Sequence, residues 1–189
     1  MRATENICLI ADDDIIYDDN YEHTIEEAFA RHPDADLIIF NIHESTPKRY
    51  VNKKDYKVNY LNFMRFGAVR IAFKRQSIHL NGIHFNLCFG GGTKHSNGED
   101  TLFLKECLNH GLKIYAVPEY IATLDESSES TWFNGYNDKY LADKGILYKV
   151  MFKKYWKILS AIDALKFHKK YNLNYYNAYK KMTRGKNCD

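Results

Sequence analysis

The sequence predicts an α/β fold, a sheet flanked by helices, continued by a basic helical segment. Three observations predict it: an apolar run that ends in acid near the N-terminus, a second near-continuous apolar run after a helical pattern, and a late reversal of charge. The chain has 189 residues, and at that size about 70% of the unfolded surface can be buried in one domain. Apolar residues at 45%, charged residues at 27%, and only 10 Gly and 3 Pro exclude collagenous, low-complexity and wholly disordered classes. No apolar run reaches the length of a membrane span. The opening MRATENICLIADDD runs straight into acid, unlike a signal peptide, so a cytoplasmic chain is expected.

Ile7 to Ala11 reads as a buried strand whose carboxyl end carries Asp12, Asp13 and Asp14. Asp19 or Asn20 caps a helix in which Ile25, Ala28 and Phe29 recur at helical spacing, and His32-Pro33 stops it. Asp36 to Ile42 (DLIIFNI) is a second buried strand, and a crossover of this length predicts a parallel βαβ unit over the first 42 residues. Residues 43 to 60 are polar and read as an excursion or hairpin. Asn62 to Phe66 reads as a helical turn, Val69 to Phe73 as a strand and Gln76 to Leu80 as a short helix ended by Asn81-Gly82. Phe89 to Gly98 is a glycine-rich loop. Thr101 to His110 is an amphipathic helix closed by Gly111, and Ile114 to Val117 is a strand ended by Pro118. A Ser/Glu-rich stretch precedes two helical segments, Leu141 to Ile162 and Ala164 to Tyr171.

Residues 1–138 carry 14 Lys/Arg against 21 Asp/Glu, and residues 139–189 carry 13 against 3, so a division at 138/139 with different partners for each part is expected. Cys8, Cys88, Cys107 and Cys188 form no CxxC pair, and the first three lie in apolar segments where free Cys acts as a small hydrophobe.

Three adjacent carboxylates at the carboxyl edge of a sheet sit where open α/β sheets bind ligands, and their repulsion is costly without a cation. Oxygen ligands suit Mg²⁺ or Mn²⁺, which bind through one or two carboxylates plus substrate phosphates. The competing reading is a solvated acidic turn. Glu99 and Asp100 stand in the first turn of a helix, where acids stabilise the helix without any chemistry. The glycine-rich loop, the second acidic pair and the acidic strand end could together bind a metal-diphosphate and deprotonate an acceptor.

The segments ICLIADDDIIY, PDADLIIFNI, FGGGTKHSNGEDTLFL, GLKIYAVPEYI and STWFNGYNDKYLADKGILY resemble the family 2 glycosyltransferases of bacterial surface-polysaccharide synthesis, over about Ile7 to Tyr148. The resemblance implies a GT-A (Rossmann-like) mixed sheet flanked by helices, with C-terminal basic helices. It implies inverting, metal-dependent transfer from a nucleotide-sugar donor to a hydroxyl of a glycan or lipid-linked acceptor. Asp12 and Asp14 then correspond to the DxD pair that holds Mn²⁺ or Mg²⁺, with Asp13 supporting near the ribose. Asp100 corresponds to the general base and Glu99 to its neighbour. Gly90, Gly91 and Gly92 fall in the donor-binding loop, and Trp132 in the acceptor region. The late histidine ligand of some GT-A enzymes is replaced here by ATLDESSES, which offers Asp125 or a water. The family's first nucleotide-binding strands precede its DxD strand, so the expected fold is a partial GT-A domain. An open edge on the DxD strand and self-association through it follow as expectations. The acidic triplet and the Glu99-Asp100 corner are expected to converge on one ion-bridged donor.

Three other readings compete. A catalytically inactive glycosyltransferase derivative, serving as sugar-binding or scaffold protein, shares the same residues. A receiver-like signalling domain would also place acids after its first strand, but its phosphoacceptor position falls on Asn41. Residues 146–171 interleave Lys149, Lys153, Lys154 and Lys157 with Phe152, Tyr155 and Trp156, which suits peripheral contact with an anionic membrane at its inner face. A packed terminal helix with a solvated lysine face is the plainer expectation for that segment. No nucleic-acid reading motif accompanies the charge.

Overall fold

The structure is a computed structural model that describes residues 3–45, 49–125 and 135–184. The chain divides into two compact units, one of Met1–Phe85 with Phe103–Glu129, the other of Asn86–Leu102 with Ser130–Asp189.

The first unit is built on a six-stranded mixed sheet. Its strands are β1 (Ile7–Leu9), β2 (Ile15–Tyr17), β3 (Leu37–His43), β4 (Tyr56–Lys57), β5 (Ile71–Lys74) and β6 (Ile114–Leu124), in the order β1-β5-β3-β6-β2 with β4 also on β6. Helix α1 (Tyr21–Arg31) buries Ile25, Ala28 and Phe29 in one cluster with Ile38, Phe40 and Ile42 of β3 and Val117, Ile121 and Ala122 of β6. Leu37 and Ile39 are fully buried on the opposite face of β3, which is why that strand reads as a continuous apolar run. Helix α2 (Arg75–Leu80) follows β5 directly.

Strand β1 and strand β3 run in the same direction, as the crossover predicts, but they do not pair. β5 lies between them, antiparallel to both. The βαβ expectation is corrected on that point: the α1 crossover leaves one strand's width open, and the later Ile71–Lys74 segment fills it. β1 ends the sheet order, so its outer edge carries no strand among the described residues.

A second correction concerns Pro118, which does not end β6. The β3–β6 register moves from Ile39–Ala116 to Asn41–Tyr120, so β6 spends two more residues than β3 around Pro118. A bulge needs no amide hydrogen at that point, and proline fits there. Asn41 closes the irregularity: its Nδ2 donates to the carbonyls of Pro118 at 2.8 Å and Asn52 at 2.9 Å, and its Oδ1 accepts the Asn52 amide. Asn41 is buried and fully engaged in holding the sheet, which leaves the receiver-like reading without a phosphoacceptor.

The second unit is a three-helix bundle plus the glycine-rich loop and the start of α3 (Glu99–Asn109). Its helices are α4 (Asp138–Phe152), α5 (Trp156–Phe167) and α6 (Tyr175–Thr183). The single helix expected from Leu141 to Ile162 is broken: Lys153 takes φ 35° and a one-turn 3₁₀ segment, Lys153–Tyr155, redirects the chain into α5. Leu141, Ala164, Tyr171, Ala178 and Met182 form the bundle core. Inside it, Asp163 accepts from Tyr148 at 2.6 Å, Tyr171 at 2.5 Å and Lys144 at 2.7 Å. Asn137 and Asn174 cap α4 and α6 with their side-chain oxygens.

Candidate active site

The acidic triplet lies where β1 has ended and a tight turn leads into β2. Asp12 and Asp13 are exposed and Asp14 is half-buried. Burial, then the neighbouring Asp14 and Asp13 carboxylates, hold the Asp12 pKa above its usual value, while Arg49 pulls the other way. Asp14 Oδ1 is buried with no hydrogen-bond partner among the described residues. Beyond the β2–β6 pairing, the Asp125 amide donates to the Asp14 carbonyl at 2.8 Å, so the backbone of Asp125, which with a water is one of two substitutes for the late histidine, lies beside that of Asp14.

Sequence reasoning missed two neighbours. Arg49 lies close enough to Asp12 to lower its pKa and is itself held by Glu44. Tyr17 has a buried hydroxyl with no hydrogen-bond partner among the described residues, and its pKa is raised by burial and by the nearby Tyr21 and Asp12. Tyr17 lies only three residues past Asp14, on β2, whereas Arg49 comes from the segment between β3 and β4 and carries no local signal.

Crowded carboxylates with one orphaned oxygen fit a divalent cation. Among the described residues no three His, Cys, Asp or Glu side chains form a closed cage. An Mg²⁺ or Mn²⁺ that keeps its other positions for phosphate and water needs only one or two carboxylates, and Asp14 with Asp12 meets that requirement.

In the second unit the glycine-rich loop folds back on itself through a bridge between Phe89 and His95. Gly90 (φ 115°) and Gly92 (φ 75°) adopt backbone angles that favour glycine. A side chain at Gly90 would also meet the Glu99 carboxylate at 2.9 Å. Glu99 therefore packs on the loop from the first turn of α3, and Asp100 follows it on the same turn, both half-buried. Gly98 (φ 111°) lets the chain enter α3 directly over Leu147.

A buried network that the sequence did not reveal anchors this loop. His95 Nδ1 donates to Asp143 Oδ1 at 2.9 Å, while the Ser96 amide and hydroxyl, each at 3.1 Å, and Lys139 Nζ at 2.6 Å donate to Oδ2. Burial alone would raise the Asp143 pKa, but the His95, Lys139 and Ser96 donors hold it below the usual value. The partners are 48 residues apart in sequence, which hides them from any local pattern.

The triplet and Asp125 thus belong to the first unit, and Gly90, Gly91, Gly92, Glu99 and Asp100 to the second. Trp132 lies outside the described residues. Of the cysteines, Cys107 is buried, Cys8 is half-buried and Cys88 is exposed, which corrects the reading of Cys88 as a packed hydrophobe. No helix among the described residues is long and apolar enough to cross a membrane.

A mixed α/β sheet with these flanking helices is a glycosyltransferase-like fold. Its structural counterparts include S. aureus TarS, a glycosyltransferase, whose residues 1–349 in complex with UDP-GlcNAc match this whole chain at TM-score 0.61 and 10% identity, over 70% of that chain. The same protein with UDP matches 96% of this chain at TM-score 0.58 and 13% identity, over 67% of that chain. The TarS 1–349 structure without a named ligand matches at TM-score 0.59 and 11% identity, over 69% of its length. No protein-family model matches the sequence, and no curated protein matches it.

Proposed function

We propose that the protein transfers a sugar from a nucleotide-sugar donor to an acceptor hydroxyl, with inversion and with Mn²⁺ or Mg²⁺, in the synthesis of a bacterial cell-surface polysaccharide. One observation carries the reading: a glycosyltransferase-like sheet delivers Asp12, Asp13 and Asp14 at the end of β1, with a buried oxygen of Asp14 left without a donor among the described residues. The UDP-GlcNAc and UDP complexes of the TarS counterpart support a nucleotide-sugar as the donor class.

A bound cation supplies charge neutralisation for a departing diphosphate. Asp14 and Asp12 would hold it, and Asp13 serves the ribose side of the donor. Asp100 takes the proton of the acceptor hydroxyl as its oxygen bonds to the anomeric carbon and the bond from that carbon to the diphosphate oxygen breaks. Gly90, Gly91 and Gly92 bind the donor, and Glu99, the neighbour of Asp100, packs on Gly90. Trp132 serves the acceptor.

The test is release of UDP from UDP-GlcNAc and other UDP-sugars with Mn²⁺ present, with EDTA added, and in Asp14→Ala. Cation-dependent release that vanishes in the variant supports the reading. Release that survives both treatments removes the metal role of the triplet. UDP binding without turnover on any donor makes the protein a non-catalytic sugar-nucleotide binder.

A further inference from the structure

Helix α5 has two unlike faces. One buries Ser160, Asp163 and Ala164 within the bundle. The other exposes Ile158, Ile162 and Leu165 at 59, 55 and 61%, continued by Tyr155 of the preceding turn at 60%. Three- and four-residue spacings put these side chains in one stripe along the helix. Single exposed apolar residues are ordinary, whereas a contiguous stripe of large ones marks a contact surface.

The charge around the stripe has one sign. Lys153, Lys154, Lys157, Lys166 and Lys169 are all exposed, and none is ion-paired to a carboxylate among the described residues. The helix's single acid, Asp163, is buried and satisfied by Lys144, Tyr148 and Tyr171. Trp156 is half-buried at one end, with Lys149 and Lys157 over its ring at 5.8 Å.

We propose that α5 and the turn before it lie on the surface of a bilayer that carries anionic headgroups. Ile158, Ile162 and Leu165 enter the boundary between headgroups and acyl chains, and the lysines meet lipid phosphates while their methylene stems stay with the apolar stripe. A one-helix-wide aliphatic stripe rimmed by lysines with no carboxylate partner among the described residues matches a flat apolar layer topped by negative charge. A second copy docking through the same face would bring two sets of lysines together, so the charge favours lipid over self-pairing. The inference stands apart from the sugar-transfer reading, because its readout involves no donor.

The full chain is floated with vesicles of phosphatidylcholine alone or with about one-third phosphatidylglycerol. Partitioning is expected to be at least about tenfold stronger on the anionic vesicles and to fall steeply in about 0.5 M salt. Ile162→Ser combined with Leu165→Ser should reduce it about tenfold with an unchanged melting temperature, since both side chains are already exposed. Lys154→Glu combined with Lys157→Glu should weaken binding to anionic vesicles alone, and this pair carries the test if the serine variant melts early. The proposal is overturned by absence of binding to anionic vesicles at low salt, or by binding indifferent to both pairs of substitutions. It is also overturned by a lipid-free dimer that the serine pair disperses.

Discussion

Two carboxylates, Asp12 and Asp143, sit in opposite electrostatic surroundings, and each gives the protein's stability its own dependence on pH. Burial and the Asp14 and Asp13 charges raise the folded-state pKa of Asp12, so the folded chain prefers it protonated. Its ionisation therefore costs stability as pH rises from the ordinary aspartate value through that raised one. Asp12→Asn is expected to raise the melting temperature at pH 7 and leave it unchanged near pH 3. Mn²⁺ with UDP should stabilise the parent and not the variant. Asp143 behaves in the opposite sense: its lowered pKa stabilises the fold above the ordinary aspartate value, and that contribution is lost as pH falls through the depressed one. Asp143→Asn should cost about 3 kcal/mol at pH 7, the low end for breaking a buried pair because Lys139 is largely exposed. Urea denaturation at pH 7 and at successively lower pH checks this, with the gap between parent and variant narrowing as pH falls through the depressed value.

Among the elements, α4 and α6 approach each other closely at Gly145, where an added Cβ would fall 1.8 Å from the Met182 carbonyl oxygen. Gly145→Ala must push the helices apart, at a cost of about 3 kcal/mol. Amide hydrogen exchange should accelerate through α6 while the strands of the first unit keep their protection. That contact has no sequence signature, since one glycine inside a lysine-rich helical pattern reads as a weak point. The elements legible in the sequence are those whose burial is written locally. Ile25, Ala28 and Phe29 mark one face of α1, DLIIFNI marks a strand buried on both sides, and Gly111 with φ 73° ends α3. Elements fixed by distant partners were not legible: β2 exists because β6 pairs with it, and β6 passes Pro118 because Asn41 closes the bulge. The break at Lys153 depends on a backbone angle that no residue type there announces.

Over the whole molecule, each unit has its own apolar core, and the acids proposed for chemistry are divided between the two. The sequence displayed the acid clusters because each is continuous along the chain. It concealed Arg49 and the His95–Asp143 anchor because those meet their partners only after folding. The proposed division of labour has a consequence that separates it from two independent structural roles. If Asp14 acts on donor binding as proposed, Asp14→Ala should abolish Mn²⁺-dependent UDP binding by calorimetry and, with it, all release and transfer. If Asp100 acts only on the acceptor's proton, as proposed, Asp100→Asn should bind UDP as tightly as the parent while kcat for transfer falls by about 10²–10⁴-fold, the usual contribution of a general base. A purely structural role for Asp100, as an acid favoured at the start of α3, predicts a lower melting temperature with kcat intact. Equal loss of UDP affinity in both variants would assign Asp100 to the donor and leave proton removal to another group.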